Sequence, residues 1–149
     1  KRYALLIGLI KQLICHFPDI HVVICGKGPE RDQLQFQINE ARLQNNITLL
    51  GEKSHSEVLV FMQRSKIFFH PSSYEGFGTV CAEALYAGAH VVSFCKPMNA
   101  EIRHWHIVNT EEEMQNRIIG LLQNPDLEHE PVLAFSADDV AKQIFQLYT

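Results

Sequence analysis

His70-Pro71-Ser72-Ser73-Tyr74-Glu75-Gly76-Phe77-Gly78-Thr79-Val80-Cys81-Ala82-Glu83-Ala84-Leu85-Tyr86-Ala87-Gly88 follows the apolar run Ile67-Phe68-Phe69. The run reads as a buried strand, and Phe77 to Ala87, made of helix formers without proline, reads as a helix. The order is therefore strand, tight turn, helix. Gly76 and Gly78 permit a sharp turn and a close approach of backbone to a bound group, and the first turn of the helix aims unpaired N–H groups at the same place. Such a turn suits a phosphate. Glu75 lies in the turn and Glu83 roughly a turn and a half inside the helix, so the two carboxylates border one ligand from different sides. Carboxylates do not bind phosphate but accept hydrogen bonds from hydroxyls. The ligand this pattern suggests carries hydroxyls on both sides of a phosphate, as a nucleotide sugar does.

The flanking chain alternates strands with helices. Leu6, Leu9, Ile10, Leu13, Ile14 and Phe17 form one stripe of a helix over Arg2 to Phe17, which Pro18-Asp19 ends. Ile20 to Cys25 is an apolar strand, Gly26-Lys27-Gly28-Pro29 a turn, and Leu34, Ile38 and Ala41 one face of the next helix. Ile47 to Leu50 is a strand closed by Gly51. Ser54 with Glu57 forms a capping box for a helix through Val58, Phe61 and Met62. Val91 to Phe94 is the strand after the central helix. Beyond it the sequence predicts a loop at 95–99, a short helix over Ala100 to His106 and a brief strand at Ile107-Val108. A second capping box, Thr110 with Glu113, precedes a helix through Met114, Ile118, Leu121 and Leu122. A polar connector over Asn124 to Pro131 follows, and Ser136 with Asp139 opens a last helix bearing Val140, Ile144 and Leu147. Strands that are continuous apolar runs imply a parallel sheet covered on both faces, a doubly wound Rossmann-like α/β domain. Ligands of such domains bind beyond the carboxyl ends of the strands, here Gly26, Gly51, His70 and Phe94.

A chain of 149 residues, 46% hydrophobic and 20% charged, is that of one folded domain with a core. A net charge of -4 without a basic run argues against nucleic acid as a partner, so any phosphate site must be local. Cys15, Cys25, Cys81 and Cys95 show no metal or disulfide spacing and read as small buried hydrophobes of a reducing, cytoplasmic protein. No apolar run is long enough to span a bilayer.

Glu75 and Glu83, set in Pro-Ser-x-x-Glu-Gly-Phe-Gly and Glu-Ala-Leu-x-Ala-Gly, resemble the EX7E signature of the group 1, family four, retaining GT-B glycosyltransferases. The resemblance implies the nucleotide-sugar-binding C-terminal domain of such an enzyme. It implies that Glu75 meets the hydroxyls of the donor sugar and Glu83 those of the ribose, and that backbone N–H groups of Gly76, Phe77, Gly78 and Thr79 cradle the diphosphate. Lys1 looks like the lysine that neutralises it, although the arginine that precedes that lysine in the family has no counterpart. Gly51, Glu52, Lys53 and Val58 match the region facing the base. In the family the first helix follows a strand and a glycine-rich loop, so the chain is expected to begin in mid-domain, truncated at its N-terminus and separated from an acceptor domain. The expected donor is a UDP- or GDP-sugar without a metal, the acceptor a glycan or lipid, and the location cytoplasmic, peripheral to a membrane at most. Two departures touch the sugar end of the site: Lys96-Pro97 stands where relatives have a glycine pair, and the segment from Asn99 to Thr110 is short.

Other readings compete. The same architecture serves sugar-nucleotide epimerases and phosphorylases, or a non-catalytic interaction module. Gly26-Lys27-Gly28 resembles a dinucleotide fingerprint but has Arg31 where the third glycine belongs. His104 and His106 flank Trp105 and read as surface histidines rather than a metal pair, for lack of a third ligand. His70 is either a ligand neighbour or simply the end of its strand.

Overall fold

The protein was analysed as a computed structural model that describes residues 3–72, 78–95 and 101–136. In order, the elements are α1 Tyr3–Leu13, β1 Val22–Cys25, α2 Arg31–Glu40, β2 Ile47–Gly51, α3 His55–Arg64, β3 Ile67–His70, α4 Thr79–Tyr86, β4 His90–Ser93, β5 Trp105–Ile107 and α5 Glu111–Gln123. Every strand pair is parallel, in the two ladders β1-β2 and β3-β4-β5. The helix assigned to Ala100–His106 is a correction: Trp105 to Ile107 is a strand in register with Val91 to Ser93. Alternation explains it, because Trp105 is buried while His104 and His106 belong to the opposite side. The last predicted helix, with Asp139, Val140, Ile144 and Leu147, lies outside the described residues.

All four residues of β4 are buried. Val92 packs into one apolar cluster, with Leu6, Ile10 and Leu13 of α1, Ile38 of α2 and Met114 and Ile118 of α5. Val91 packs into another, with Met62 of α3, Cys81, Ala84 and Leu85 of α4, and Trp105. Helices thus cover both faces of the sheet, as the doubly wound reading requires. Each fully buried valine contributes about 1.5–3 kcal/mol.

The cap at Ser54 is a complete box: its hydroxyl accepts from the Glu57 N–H at 3.3 Å and the Glu57 carboxylate accepts from the Ser54 N–H at 2.9 Å. At α5 only half of the expected box forms. Thr110 Oγ1 accepts from the Glu113 N–H at 3.1 Å, but the Glu113 carboxylate returns to the Asn109 N–H at 2.8 Å. Helix α4 ends in a Schellman turn, with the Ala89 N–H on the Ala84 carbonyl, the Gly88 N–H on the Leu85 carbonyl and Gly88 at φ +94°. A Cβ at Gly88 would lie 2.9 Å from the His129 carbonyl oxygen, so the connector after α5 passes directly over this turn. The polar connector is therefore a packed strap, held also by the Val132 N–H on the Leu85 carbonyl.

The histidines beneath the strap are a second correction. His104, at φ +64° and with its side chain only 9% exposed, stacks on His90 at 4.1 Å between ring centroids. His90 Nε2 sits 2.9 Å from the Glu128 carbonyl, which can only accept, so the neutral His90 ring carries its proton there. Its Nδ1 then accepts from His106 Nε2 at 3.1 Å. Arg103 pairs with Glu128 and Glu130 of the strap. Burial pushes the His106 imidazole down to about 4, aided by the Arg117 charge and by the neighbouring histidines, and burial lowers His90 as well. Cys81 and Cys95 are buried as expected, whereas Cys15 is exposed and Cys25 half-buried. Cys15 follows the last buried position of its helix and so faces water.

A buried hydroxyl ties the sheet together. Ser93 Oγ accepts from Trp105 Nε1 at 2.9 Å and donates to the Cys95 carbonyl at 2.8 Å. Ser93→Ala is expected to strand the indole N–H and lower stability by about 1–3 kcal/mol, measurable by urea unfolding. The histidine cluster sets an acid limit. The unfolded chain takes up protons on His106 near 6.5 whereas the folded chain does not until about 4, so stability falls as pH drops through that window and loses nothing more to this group below it. Half-exposure limits the loss to roughly 1–2 kcal/mol. Thermal unfolding between neutral pH and pH 4 checks this, and His106→Gln is expected to flatten the profile.

Candidate functional site

The carboxyl ends of β1, β2 and β3 open on one side of the domain. Gly26, at φ +135°, donates its N–H to the Gly51 carbonyl at 2.7 Å, and Gly51, at φ +71°, turns the chain toward α3. A cleft of about 840 Å³ reaches this end, where Gly26, Glu52, Lys53, Val58, His70 and Ser72 line it. Of the residues predicted to border the site, Gly26, Glu52, Lys53 and Val58 line this mouth, and others lie outside the described segments. Among the latter are Lys1, Glu75, Gly76 and Phe77, and Lys96-Pro97. His70 is buried at the end of β3, with its ring stacked on Phe68 at 6.2 Å.

Gly78 is the N-cap of α4, in the left-handed region at φ +67°, ψ +31°. The helix starts at Thr79, two residues later than the sequence predicts, because a residue in that conformation cannot belong to a right-handed helix. Hydrogen bonds back to the Gly78 carbonyl begin with the Cys81 and Ala82 N–H groups, at 2.9 and 3.1 Å. The N–H groups of Thr79 and Val80 therefore have no acceptor within the helix, and they point out of its positive end.

Glu83 lies on the side of α4 that faces α3. His55, the first residue of α3, brings Nε2 to 2.9 Å from Glu83 Oε1. The Glu83 side chain is 32% exposed and that of His55 68%, so the pair sits at the rim, with carboxylate oxygens accessible. Sequence reasoning missed His55. Its only signal is position: the residue after the Ser54 cap of a helix next to α4. Lys53 pairs with Glu57 at 3.4 Å, on the same cap, and Lys27 with Glu52 at 3.9 Å. Hydrogen bonds to Ser54 hold the Glu57 carboxyl below its ordinary range, and burial raises the Cys25 thiol above its own.

A part-buried contact joins the ends of two strands. Cys95 Sγ donates to the Ser72 carbonyl at 2.9 Å, tying the chain after β3 to the end of β4. Among the described residues no three His, Cys, Asp or Glu side chains are grouped to hold a metal. No helix among them is long and apolar enough to cross a membrane.

The sequence and the fold resemble those of known proteins. The chain belongs to the glycosyl transferases group 1 family, whose model matches residues 1–132. It is 37% identical over 93 residues to the phosphatidylinositol N-acetylglucosaminyltransferase gpi3 subunit of Schizosaccharomyces pombe, covering 62% of this chain and 20% of that protein. It is 32% identical over 93 residues to 2-deoxystreptamine N-acetyl-D-glucosaminyltransferase of Niallia circulans, covering 62% of this chain and 24% of that one. The chain thus spans about a quarter or less of the length of these relatives. Its fold matches all of this chain and 33% of S. aureus TarM, solved with UDP, at TM-score 0.81 and 20% identity. It matches 95% of this chain and 77% of the C-terminal domain of a group 1 glycosyl transferase, LpcC, from Francisella tularensis, at TM-score 0.72 and 17% identity. The fold is that of a GT-B glycosyltransferase domain.

Since both partners of the His55–Glu83 pair reach solvent, it holds a side chain in place rather than the fold together. His55→Ala is expected to change unfolding free energy by less than about 1 kcal/mol, as measured by denaturant unfolding.

Proposed function

We propose that this chain binds the nucleoside-diphosphate sugar of a retaining glycosyltransferase and that Glu83 receives the ribose hydroxyls. The observation that carries this reading is the position of Glu83: inside α4, beside its unpaired N–H groups, and oriented by His55. An anion at the N-terminus of α4 and a diol at Glu83 are the two halves of one nucleotide. Glu75, in the turn ahead of α4, meets the hydroxyls of the transferred hexose, and Lys1 adds positive charge at the diphosphate.

The chemistry of transfer follows from what must be stabilised. The bond from the anomeric carbon to the diphosphate breaks as the acceptor oxygen bonds to that carbon, and negative charge builds on the departing phosphate. Preorganised N–H donors and the helix dipole lower the energy of that charge without a metal. UDP is the first base to test and N-acetylglucosamine the first sugar, because the relatives named above are N-acetylglucosaminyltransferases and TarM was solved with UDP. Acceptor binding, to a glycan or a lipid, falls to a separate domain of the intact protein, so the chain alone binds donor without transferring sugar.

Calorimetric titration with UDP, GDP and UDP-N-acetylglucosamine tests the reading. UDP is expected to bind, and Glu83→Ala to weaken it at least about tenfold, the loss of a charged hydrogen-bonding partner. His55→Ala is expected to weaken it less. A folded chain that takes up none of these nucleotides would contradict the donor-site reading and favour the interaction module, and sugar transfer by the chain alone would contradict the division of labour.

A further inference from the structure

The strap after α5, residues 124–136, belongs to no helix or strand among the described residues, yet it crosses the turn between α4 and β4 at Gly88. Val132, Ala134 and Phe135 pack on the apolar cluster that holds Ala84, Leu85 and Trp105, and the Val132 N–H donates to the Leu85 carbonyl at 3.0 Å. Its earlier part closes on histidines. The Glu128 carbonyl accepts from His90 Nε2, and the Glu128 carboxylate lies 3.4 Å from His104 Nε2. A segment held by such contacts, outside any ladder, opens without parting the strands beneath it.

The stacked rings have little room for protons. His90 donates from Nε2 to Glu128 and accepts at Nδ1 from His106 Nε2 at 3.1 Å, so both of its nitrogens are committed in the neutral state. One added proton fits between the two rings only if His106 moves its own proton to Nδ1. A second sets two N–H groups face to face and two cations in contact. His104 is turned inward by its left-handed backbone and lies on His90, with its Nδ1 buried and without a hydrogen-bond partner.

The surrounding charges do not relieve this crowding. Arg117 of α5 acts on His106 with the same sign, and His104 and His129 act so on His90. Glu128 and Glu130 supply negative charge, but Arg103 already pairs with both. Burial is the largest reason that the His106 imidazole lies at about 4 and that His90 lies below its ordinary value. Lifting the strap admits water to the rings and to His104 Nδ1, which removes that cause.

We propose that the strap is an acid-released latch: protons taken up by His90 and His106 free residues 124–136 from Leu85 and from the turn at Gly88 while the sheet stays folded. Rings open to water bind protons near 6.5 and the closed His106 ring near 4, so opening becomes easier as pH falls through that window and gains nothing more from this ring below it. Partial exposure of the rings in the closed state limits the gain in the open fraction to roughly tenfold between pH 7 and pH 5. Opening uncovers the apolar side of α4 around Leu85. The latch stands on the strap and the histidine stack, independently of what the donor site binds.

Amide hydrogen exchange of the 149-residue chain, corrected for the intrinsic effect of pH on exchange, tests it. The protection of the Val132 amide is expected to fall about tenfold from pH 7 to pH 5 and to stay at least about 100-fold below that of Val92 in β4, with far-UV circular dichroism unchanged. His90→Gln keeps a donor for the Glu128 carbonyl, and His106→Gln keeps one for His90 Nδ1, but neither glutamine takes up a proton. Each variant is expected to cut the response of Val132 to about threefold or less. Val132 protection that ignores pH, or that equals the protection of Val92 because only the whole domain opens, would overturn the proposal. So would a full response in both variants. The wild-type comparison of Val132 with Val92 decides the matter by itself where a variant fails to fold.

Discussion

The Ser93 hydroxyl is buried at the carboxyl end of the one described strand whose residues are all buried, and it accepts from Trp105 while donating to the Cys95 carbonyl. Both partners matter beyond stability. The Trp105 contact holds the outermost strand in register, and the Cys95 thiol in turn donates to the Ser72 carbonyl. A hydrogen-bonded path therefore runs from Trp105 in the core to Ser72 after β3. Gly78, in the left-handed region, caps α4, and Glu83 a turn later faces His55.

Much of this architecture is written in local pattern. Buried parallel strands are short apolar runs, and the caps at Ser54 and Thr110 rest on hydrogen bonds between residues three or four apart. What failed to show locally was what depends on distant chain. The segment around Trp105 reads as helix or loop from its own residues, and becomes a strand because β4 offers an unpaired edge and Ser93 offers its hydroxyl to the indole. His104 and His106 read as surface residues until His90 and the strap at Glu128 cover them. The polar composition of Asn124 to Pro131 conceals that the segment packs on Gly88 through its backbone, where side-chain polarity carries no signal.

The site divides in the same way. Glycines and acids at fixed spacing singled out Gly78, Thr79 and Glu83, and the structure sets Gly78 as the N-cap of α4 and the other two within that helix. His55 had no motif to mark it, because its role comes from the packing of α3 against α4 and not from its neighbours in sequence. The histidine cluster lies under the strap at the first residue of β4, so its charge state bears on the fold.

The most direct measurement is a crystal structure of this chain with UDP. The account predicts the diphosphate at the N-terminus of α4, within hydrogen-bond reach of the Thr79 or Val80 N–H, and the ribose hydroxyls on Glu83 with His55 still paired to it. UDP bound elsewhere, or at this mouth with its ribose away from Glu83, would contradict it.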